Sequence, residues 1–313
     1  EGHSTKILKA VHQLVEEKIC EPILLGYPDR IKERIKALEL RTLDNVPIIQ
    51  PSAGPRFQEY VLELYERRAR KGVHLAEAER LMSDPNYYAA MMVEMGDADA
   101  LVNGASQNYK DAVRPIFQII GTSKEEVVGG LNFMLLEDRF LILADTTVNF
   151  DPSAEQLSCL AIQAARIMEF FDQKPTIGML SFSNFTDAPG TPSKMRKAAQ
   201  LVKTHRPDLV VDGDIQADTA VNPEIVKRIF PFCDLKDGAN ILMFPNLESA
   251  NIAYKLLQQL GKGEVIGPFL TGIRRSANVV QRTTTVDAIV SSVVLTALES
   301  QYRKVLKARR SAL

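Results

Sequence analysis

The amino-acid sequence predicts an α/β protein of two lobes, each a mostly parallel sheet with helices on both faces, with an interlobe cleft. Apolar runs typical of strands alternate with helical periodicity along nearly the whole chain, which is the pattern of parallel sheets covered by helices. Two adjacent apolar runs near 127–145 interrupt this alternation and indicate a lobe boundary. A length of 313 residues also suits about two domains.

The first lobe is predicted from 1–125 together with 269–313. Apolar residues at helical spacing predict its helices, and short buried runs closed by glycine predict its strands. Gly72 ends one helix as a left-handed cap, and Pro115 is placed early in its helix, where its missing N–H is tolerated. In order, the predicted helices are 6–17, 30–38, 60–71, 76–82, 87–95, 111–121 and 286 to about 307, and the predicted strands are 21–26, 46–49 and 100–104.

The second lobe, 126–268, is predicted as an insertion into the first. It opens with a β-hairpin, because two apolar runs flank the polar residues Glu137-Asp138-Arg139. Asp151-Pro152-Ser153 is a helix start signal. The predicted strands are 127–136, 140–145, 176–181, 209–214, 241–244 and 265–270, and the predicted helices are 154–171, 193–205, 224–230 and 249–260.

Composition excludes several classes of protein. Lys+Arg number 38 and Asp+Glu 39, and a formal net charge of -1 does not favour nucleic-acid binding. Three scattered cysteines and four histidines without a ligand pair predict neither disulfides nor a metal site. No signal peptide and no apolar run of roughly 18–20 residues are present, so we expect a soluble cytoplasmic protein that does not bind a membrane. A first residue of Glu1 suggests a fragment of a longer polypeptide.

Candidate ligand groups follow the predicted strands, where α/β sheets bind ligands. Ser183, Asn184 and Lys194 would suit a phosphate or ribose, although the pattern alone favours an ordinary serine turn before a capped helix. The carboxylates of 212–218 could form a metal cluster or a general-base pair, and we favour a structural, hydrogen-bonding role. No glycine-rich nucleotide loop and no nucleophile elbow occur in the sequence.

Arginines are the other candidates. The basic run at 67–71 ends a helix, where a solvated surface is the simpler interpretation. Arg114 is predicted near the start of its helix, where the helix dipole disfavours a cation, so an anionic partner is indicated. Arg274, Arg275 and Arg282 flank a predicted strand end.

Several motifs resemble the phosphate acetyl/butyryltransferase family along essentially the whole chain. The resemblance implies two α/β lobes, ligands in the cleft between them, transfer of an acetyl group between coenzyme A and phosphate, and assembly as dimers or larger oligomers. The matching segments are 144–149 (Ala-Asp-Thr-Thr-Val-Asn), 152–157, 180–183, 212–218 (Asp-Gly-Asp-Ile-Gln-Ala-Asp), 239–247, 250–256 and 266–268.

The resemblance also implies site residues. The family pattern Asn-Asp-Leu-Ser-Arg-Gly, followed by an aspartate at a helix start, matches 278–283. Arg282 keeps the arginine, whereas Gln281 replaces the serine and Ala288 the aspartate. The predicted acetyl-CoA and phosphate ligands are Arg282, Arg114, Arg68, Asn278, Ser183, Asn184, Lys194 and Arg274.

The replaced aspartate matters because a thiol must lose its proton before it attacks an acyl phosphate. Guanidinium cannot accept that proton. Segments 183–185, 193–198 and 230–236 look most like the phosphotransacetylase-like domain that follows the malic-enzyme module in large bacterial NADP-dependent malic enzymes. The leading hypothesis is therefore a non-catalytic regulatory domain of such an enzyme, with acetyl-CoA as bound effector and no catalytic cofactor.

Two alternatives stay open. The chain could be an active phosphate acetyl/butyryltransferase whose base has been relocated to Asp287, Asp212 or Asp214. It could also be a dimerisation scaffold without ligand binding. Self-association is expected under each hypothesis.

Overall fold

The chain was analysed as a computed structural model that describes residues 1–137, 139–186, 188–261 and 263–311. The predicted turn residue Asp138 lies outside these ranges. The helices are α1 Thr5–Glu16, α2 Pro28–Ala37, α3 Phe57–Arg68, α4 Leu75–Met82, α5 Pro85–Met95, α6 Tyr109–Pro115, α7 Ala154–Phe170, α8 Thr191–His205, α9 Ala217–Val221, α10 Pro223–Ile229, α11 Leu247–Leu260 and α12 Val286–Ser311. The strands are β1 Leu24–Leu25, β2 Ile48–Ile49, β3 Ala100–Asn103, β4 Gly129–Leu135, β5 Phe140–Ala144, β6 Thr176–Leu180, β7 Val210–Ile215, β8 Ile241–Met243, β9 Glu264–Thr271 and β10 Ser276–Val279.

Two compact units divide the chain. The first comprises Glu1–Gly121 and the chain from Ile273 onward, and the second comprises Thr122–Gly272. The second unit is thus an insertion into the first, with each crossing displaced by four residues from the sequence-based boundary. The predicted α/β fold class is confirmed.

The first unit contains two small parallel sheets instead of the single predicted sheet. β1 pairs with β2, and β3 pairs with β10, each in parallel. Helices α1 and α12 supply the apolar surface beside β3 and β10, with Leu14 and Ile289 in one buried cluster. α1 also packs Leu8 against Ile31 and Leu43 in a second cluster that includes the β1 region.

The second unit is built on one six-stranded sheet of order β7-β6-β8-β5-β4-β9. Four neighbouring strands, from β7 to β5, run parallel, as alternation with helices predicts. β4 is antiparallel to both β5 and β9. The β4–β5 hairpin was predicted, whereas the antiparallel pairing of β9 was not, because β9 reaches β4 from more than 120 residues away.

Local signals fix several helix ends. Ser153 and Gln156 form a reciprocal capping box at the start of α7, since Gln156 Oε1 accepts from Ser153 N at 2.8 Å. Gly72 adopts φ +87°, the left-handed conformation predicted for it. Pro115 does not lie early in its helix: it is the last residue of α6, and a π-helical turn, Ile116–Ile120, follows. A proline there removes one helical N–H donor, so the regular helix ends.

Within the described ranges, no helix has both the length and the apolar composition needed to cross a bilayer.

Candidate anion-binding site in the first unit

Arg282 lies just after β10 and is held on two sides. Its Nε donates to the backbone oxygen of Gln107 at 3.2 Å, and its Nη2 donates to Asn108 Oδ1 at 2.5 Å. The backbone oxygen of Arg282 accepts a hydrogen bond from Lys6 Nζ at 2.9 Å. Because the side chain is otherwise exposed, the guanidinium is oriented by the protein and still open to a ligand.

The loop that holds Arg282 is itself fixed by a network of buried amides. Asn103, at the end of β3, donates to Asn86 Oδ1 at 2.8 Å, and Asn86 donates to Gln107 Oε1 at 2.8 Å. Asn86 and Asn103 are each 4% exposed. The Asn103 Oδ1 atom has no hydrogen-bond partner among the described residues, but the two donated bonds tie Gln107 to the interior of the unit.

The first residue completes the support of this loop. The carboxylate of Glu1 accepts hydrogen bonds from the backbone N–H groups of Gly104, Ala105 and Ser106, each at 2.9 Å. The hydroxyl of Ser106 donates to the same carboxylate at 2.8 Å. Charge-assisted bonds of this kind are stronger than neutral ones, so Glu1 holds the turn between β3 and Gln107.

Arg114 lies on the helix that starts at this loop, because Asn108 is the N-cap of α6. The sequence placed Arg114 near the helix start, and this was wrong: α6 spans Tyr109–Pro115, so Arg114 occupies its last turn, where the dipole favours a cation. Arg114 lies six positions after Asn108, about 9 Å along the axis. Arg114 is more than half exposed and contacts Asp111 Oδ1 at 3.3 Å.

Arg68, the last residue of α3, is a further candidate in the first unit. Its Nε is buried and has no hydrogen-bond partner among the described residues. Burial raises the pKa of the Tyr87 hydroxyl, and the positive charges of Arg114 and Arg68 oppose that shift. Both guanidinium groups are therefore close enough to act on one phenol. A buried donor without a partner is a setting that an anionic ligand would satisfy.

Arg274 has a different surrounding. Its Nη2 donates to the buried carboxylate of Glu94 at 3.0 Å, and Arg67 Nη1 donates to the same oxygen at 2.8 Å. The sequence placed the basic run at 67–71 in solvent, and this pairing of Arg67 was missed. Asn278 is 2% exposed and donates to Thr296 Oγ1 at 2.6 Å. Both side chains thus have partners in the fold, and their ligand roles stay predictions.

Residues 281–288 contain the two positions, 281 and 288, at which this sequence differs from the family pattern. Ala288 is only 9% exposed and brings no acid to its position. Asp287, one residue earlier in the first turn of α12, is exposed. The backbone N–H of Gln281 donates to Thr284 Oγ1 at 3.0 Å, which fixes the turn before α12. An exposed carboxylate thus lies five residues after Arg282 in the same unit.

The candidates in the second unit are engaged inside that unit. Ser183 Oγ donates to Asp214 Oδ2 at 2.7 Å. Asn184 Nδ2 donates to Gln216 Oε1 at 2.9 Å, and its own oxygen accepts from Gln216 N at 2.8 Å. Lys194 Nζ donates to Asp151 Oδ1 at 2.6 Å and to the Pro245 oxygen at 2.8 Å. Their ligand roles stay predictions.

The carboxylates of 212–218 point to separate partners. Asp214 is fully buried and pairs with Arg196 at 3.0 Å. Asp212 accepts from the backbone N–H of Asp234 at 2.8 Å, and Asp218 is exposed. In the part of the chain that the structure describes, no group of three His, Cys, Asp or Glu residues could hold a metal ion.

Asp145, in the motif at 144–149, has a structural role in that segment. Its Oδ1 accepts from the backbone N–H groups of Gly130 at 2.9 Å, Thr147 at 2.9 Å and Val148 at 3.1 Å, and its Oδ2 accepts from Asn149 N at 2.7 Å. The motif closes the turn after β5.

Comparison with known proteins gives a consistent result. The family model described as Phosphate acetyl/butaryl transferase matches residues 1–297. A phosphate acetyltransferase of Corynebacterium glutamicum is 37% identical, with 96% of this chain and 92% of that protein covered. An NADP-dependent malic enzyme of Escherichia coli is 35% identical over 96% of this chain, which spans only 40% of that enzyme. A phosphate acetyltransferase of Nitratidesulfovibrio vulgaris is 35% identical, and here 97% of this chain covers 43% of the relative.

Solved structures agree with the sequence relatives. A phosphotransacetylase from Streptococcus pyogenes superimposes with a TM-score of 0.90 at 32% identity, over 96% of this chain and 92% of that one. The EutD phosphotransacetylase from Staphylococcus aureus gives a TM-score of 0.87 at 30% identity, with the same coverage.

Proposed function

We propose that this chain, which belongs to the phosphate acetyl/butaryl transferase family, moves an acyl group between coenzyme A and phosphate. The observation that carries the proposal is the fixed, solvent-exposed guanidinium of Arg282. The proposal is supported by a relative of nearly equal length that is named a phosphate acetyltransferase. The match covers 92% of that relative.

The reaction needs an anion site and a base. In thiolysis of an acyl phosphate, the sulfur of coenzyme A attacks the acyl carbon, the C–S bond forms, and the C–O bond to phosphate breaks. Phosphate leaves with the electron pair, and the thiol proton must pass to a base. Arg282 would hold the phosphate group, because guanidinium pairs with phosphate through two parallel donors.

Asp287 is the base that we assign. Of the relocated candidates, Asp214 is fully buried in a pair with Arg196, and Asp212 accepts from backbone N–H groups of its own unit. Asp287 is exposed and belongs to the same unit as Arg282. It therefore combines access to solvent with a short chain distance from the anion site.

The experiment follows release of free thiol from acetyl-CoA in the presence and absence of inorganic phosphate. We expect phosphate-dependent release, and we expect Asp287→Asn to lower kcat by about 10²–10⁴-fold, the usual contribution of a general base. Glu33→Gln, an exposed carboxylate on α2, is the matched control and should leave turnover unchanged. Turnover that survives Asp287→Asn would remove Asp287 from the mechanism.

A second candidate function rests on Ala288 and Gln281. An apolar, 9% exposed residue at position 288 cannot accept a proton, and malic enzymes are among the relatives. In this alternative the chain is a regulatory domain of an NADP-dependent malic enzyme that binds acetyl-CoA without turning it over. Absence of thiol release, together with an acetyl-CoA-dependent rise in Tm, would favour it.

If neither thiol release nor an acetyl-CoA-dependent rise in Tm is observed, the scaffold hypothesis without ligand binding is favoured. Self-association is expected under all three hypotheses, and sedimentation velocity tests it separately from ligand binding.

A further inference from the structure

Lys6, the second residue of α1, is held by the loop that follows β10. Its Nζ donates to the backbone oxygen of Arg282 at 2.9 Å and to that of Thr284 at 3.2 Å. An exposed lysine usually keeps its flexible stem and its strong hydration. Lys6 is exposed and lies in the first turn of α1, where the helix dipole disfavours a cation. The loop, and not helix stability, therefore explains the position of this ammonium group.

This contact places the Lys6 amine next to the candidate anion site. The amine bonds to the backbone oxygen of Arg282, and the guanidinium of the same residue bonds to Gln107 and Asn108. The two cations are thus separated by no more than one arginine side chain and one hydrogen bond. All of these residues belong to the first unit.

The acceptors that hold these two cations are all neutral. Lys6 bonds to two backbone oxygens, and Arg282 bonds to one backbone oxygen and one side-chain amide oxygen. Within the described ranges, neither side chain forms an ion pair with a carboxylate. Two neighbouring cations without a compensating charge attract an anion of high charge, and phosphate is the group that a guanidinium binds best.

We propose that Lys6 is an acylation site. An acyl phosphate whose phosphate group is bound by Arg282 transfers its acyl group to Lys6 Nζ, and the modification weakens the site that held the donor. This proposal rests on the proposed function, because acyl phosphate is the molecule that the transferase reaction makes or consumes. It adds a regulation of the same site, in which exposure to acyl phosphate limits further binding.

The acylation step balances without another reactant. The ammonium group of Lys6 first loses a proton to water, which leaves a neutral amine as the nucleophile. Its lone pair attacks the acyl carbon, the N–C bond forms, and the C–O bond to phosphate breaks. Phosphate leaves with the electron pair of that bond and takes up the second amine proton. A donor held beside the nucleophile reacts far faster than a free one, which is the contribution of Arg282.

Acylation changes what Lys6 can do for the loop. An ammonium group has three N–H donors, whereas the amide nitrogen of an acylated lysine has one and carries no charge. At most one of the bonds to Arg282 and Thr284 can therefore remain. The main chain of Arg282 loses part of its support, so we expect the phosphate affinity of the site to fall.

The first test supplies acetyl phosphate to the purified chain and follows acetylation of individual lysines by peptide mass spectrometry. Lys9 is the matched control, because it is an exposed lysine on the same helix. An uncharged reagent, the N-hydroxysuccinimide ester of acetate, measures the intrinsic reactivity ratio of the two amines. We expect acetyl phosphate to favour Lys6 by at least about tenfold beyond that ratio. Arg282→Ala and an excess of inorganic phosphate should each remove the preference.

The second test measures the affinity for inorganic phosphate by isothermal titration, before and after treatment with acetyl phosphate. We expect the treatment to weaken binding by about five- to tenfold, the effect of roughly one hydrogen bond. Lys6→Arg keeps a charge and several donors but has no amine to acylate. Its affinity after treatment should equal its own affinity before treatment. Acetylated Lys6 with unchanged phosphate affinity would overturn the regulatory part of the proposal.

Transfer from coenzyme A and acylation of Lys6 can fail separately, because acetyl phosphate is supplied directly and no coenzyme A is needed. Preferred acetylation of Lys6 in a chain that releases no thiol from acetyl-CoA would support the acylation site and reject the transferase. Equal corrected acetylation of Lys6 and Lys9 would overturn the acylation site, even in a chain that releases thiol. A preference that survives both Arg282→Ala and excess phosphate would overturn it as well.

Discussion

The candidate ligand side chains of the two units differ in how far they are committed to the fold. In the second unit, Ser183, Asn184 and Lys194 each bond to a neighbour within the unit. In the first unit, Arg282 is held by two acceptors but remains exposed, and Arg68 keeps a buried donor without a partner in the described ranges. A strand end is therefore not sufficient evidence for a ligand: what matters is whether the side chain is already committed to the fold.

If Asp214 belonged to a ligand site, the proposed difference between the two units would be wrong. The variant Asp214→Asn tests this most directly. Asp214 is fully buried between Ser183 and Arg196. Removing one member of a buried charged pair costs about 3–5 kcal/mol, and we expect the lower value because Arg196 is 28% exposed and can partly rehydrate. Urea unfolding measures the loss.

Asp218→Asn is the control for Asp214→Asn, because Asp218 is an exposed carboxylate shortly after the same strand. It should change the free energy of unfolding by less than about 0.5 kcal/mol. Acetyl-CoA affinity of folded Asp214→Asn protein should match that of the unmodified chain. A large affinity loss would place Asp214 and its partner Ser183 in the ligand site, and only Ser183 is a ligand residue that the resemblance implies.

The first unit is tested through Arg282→Ala. A charged hydrogen bond contributes about 1.5–3 kcal/mol, so we expect acetyl-CoA or phosphate affinity to fall by roughly 10–100-fold. Isothermal titration measures it, and thermal unfolding should change little because the side chain is exposed. Arg70→Ala, an exposed arginine after α3, is the control. Equal affinity of the two variants would move the anion site away from Arg282.

The features that the sequence predicted correctly depend on residues close together in the chain. Those that it missed depend on contacts between residues far apart in the chain. The alternation of strands and helices, the β4–β5 hairpin and the caps at Ser153 and Gly72 are local signals, and the structure confirms them. The position of Arg114 was wrong because the helix was predicted over 111–121, whereas α6 begins after its N-cap Asn108 and ends at Pro115. An asparagine is a preferred N-cap, so that signal was present in the sequence.

Contacts between distant residues had no signal in one sequence. Glu94 meets Arg67 and Arg274, and the latter lies 180 residues away. The carboxylate of Glu1 meets Gly104 across 103 residues. The antiparallel pairing of β9 with β4 is of the same kind. These contacts are set by the tertiary fold, and they decide which arginines remain available to a ligand.

Glu1→Gln tests whether the loop at 104–108 positions Arg282. The glutamine keeps the size of the side chain but replaces one carboxylate oxygen by a donor, so part of the set of four hydrogen bonds is lost. We expect acetyl-CoA affinity to fall by about five- to tenfold, the effect of roughly one hydrogen bond. Glu33→Gln is the control.

A double variant shows whether Glu1 affects ligand binding through Arg282 or by another route. If Glu1 acts through Arg282, the double variant Glu1→Gln/Arg282→Ala should bind no more weakly than Arg282→Ala. Additive losses would show that Glu1 affects ligand binding by another route.

The smallest expected effect concerns Glu155, in the first turn of α7, and it adds a pH dependence to the second unit. The hydrogen bond from Lys197, followed by those from the Glu155 backbone and Ser153, lowers the pKa of Glu155 to about 2. The folded pKa lies below the unfolded value of about 4.3, so the stabilisation is present above that value and is lost as pH falls toward 2. Glu155→Gln should therefore lower the urea midpoint slightly at pH 7 and not at pH 2. Glu248→Gln, at the same position of α11, is the control for removing a carboxylate from the first turn of a helix. Because Glu155 and Lys197 are both exposed, salt should weaken the difference; a pH-independent difference would mean that the carboxylate acts through helix propensity instead of its charge.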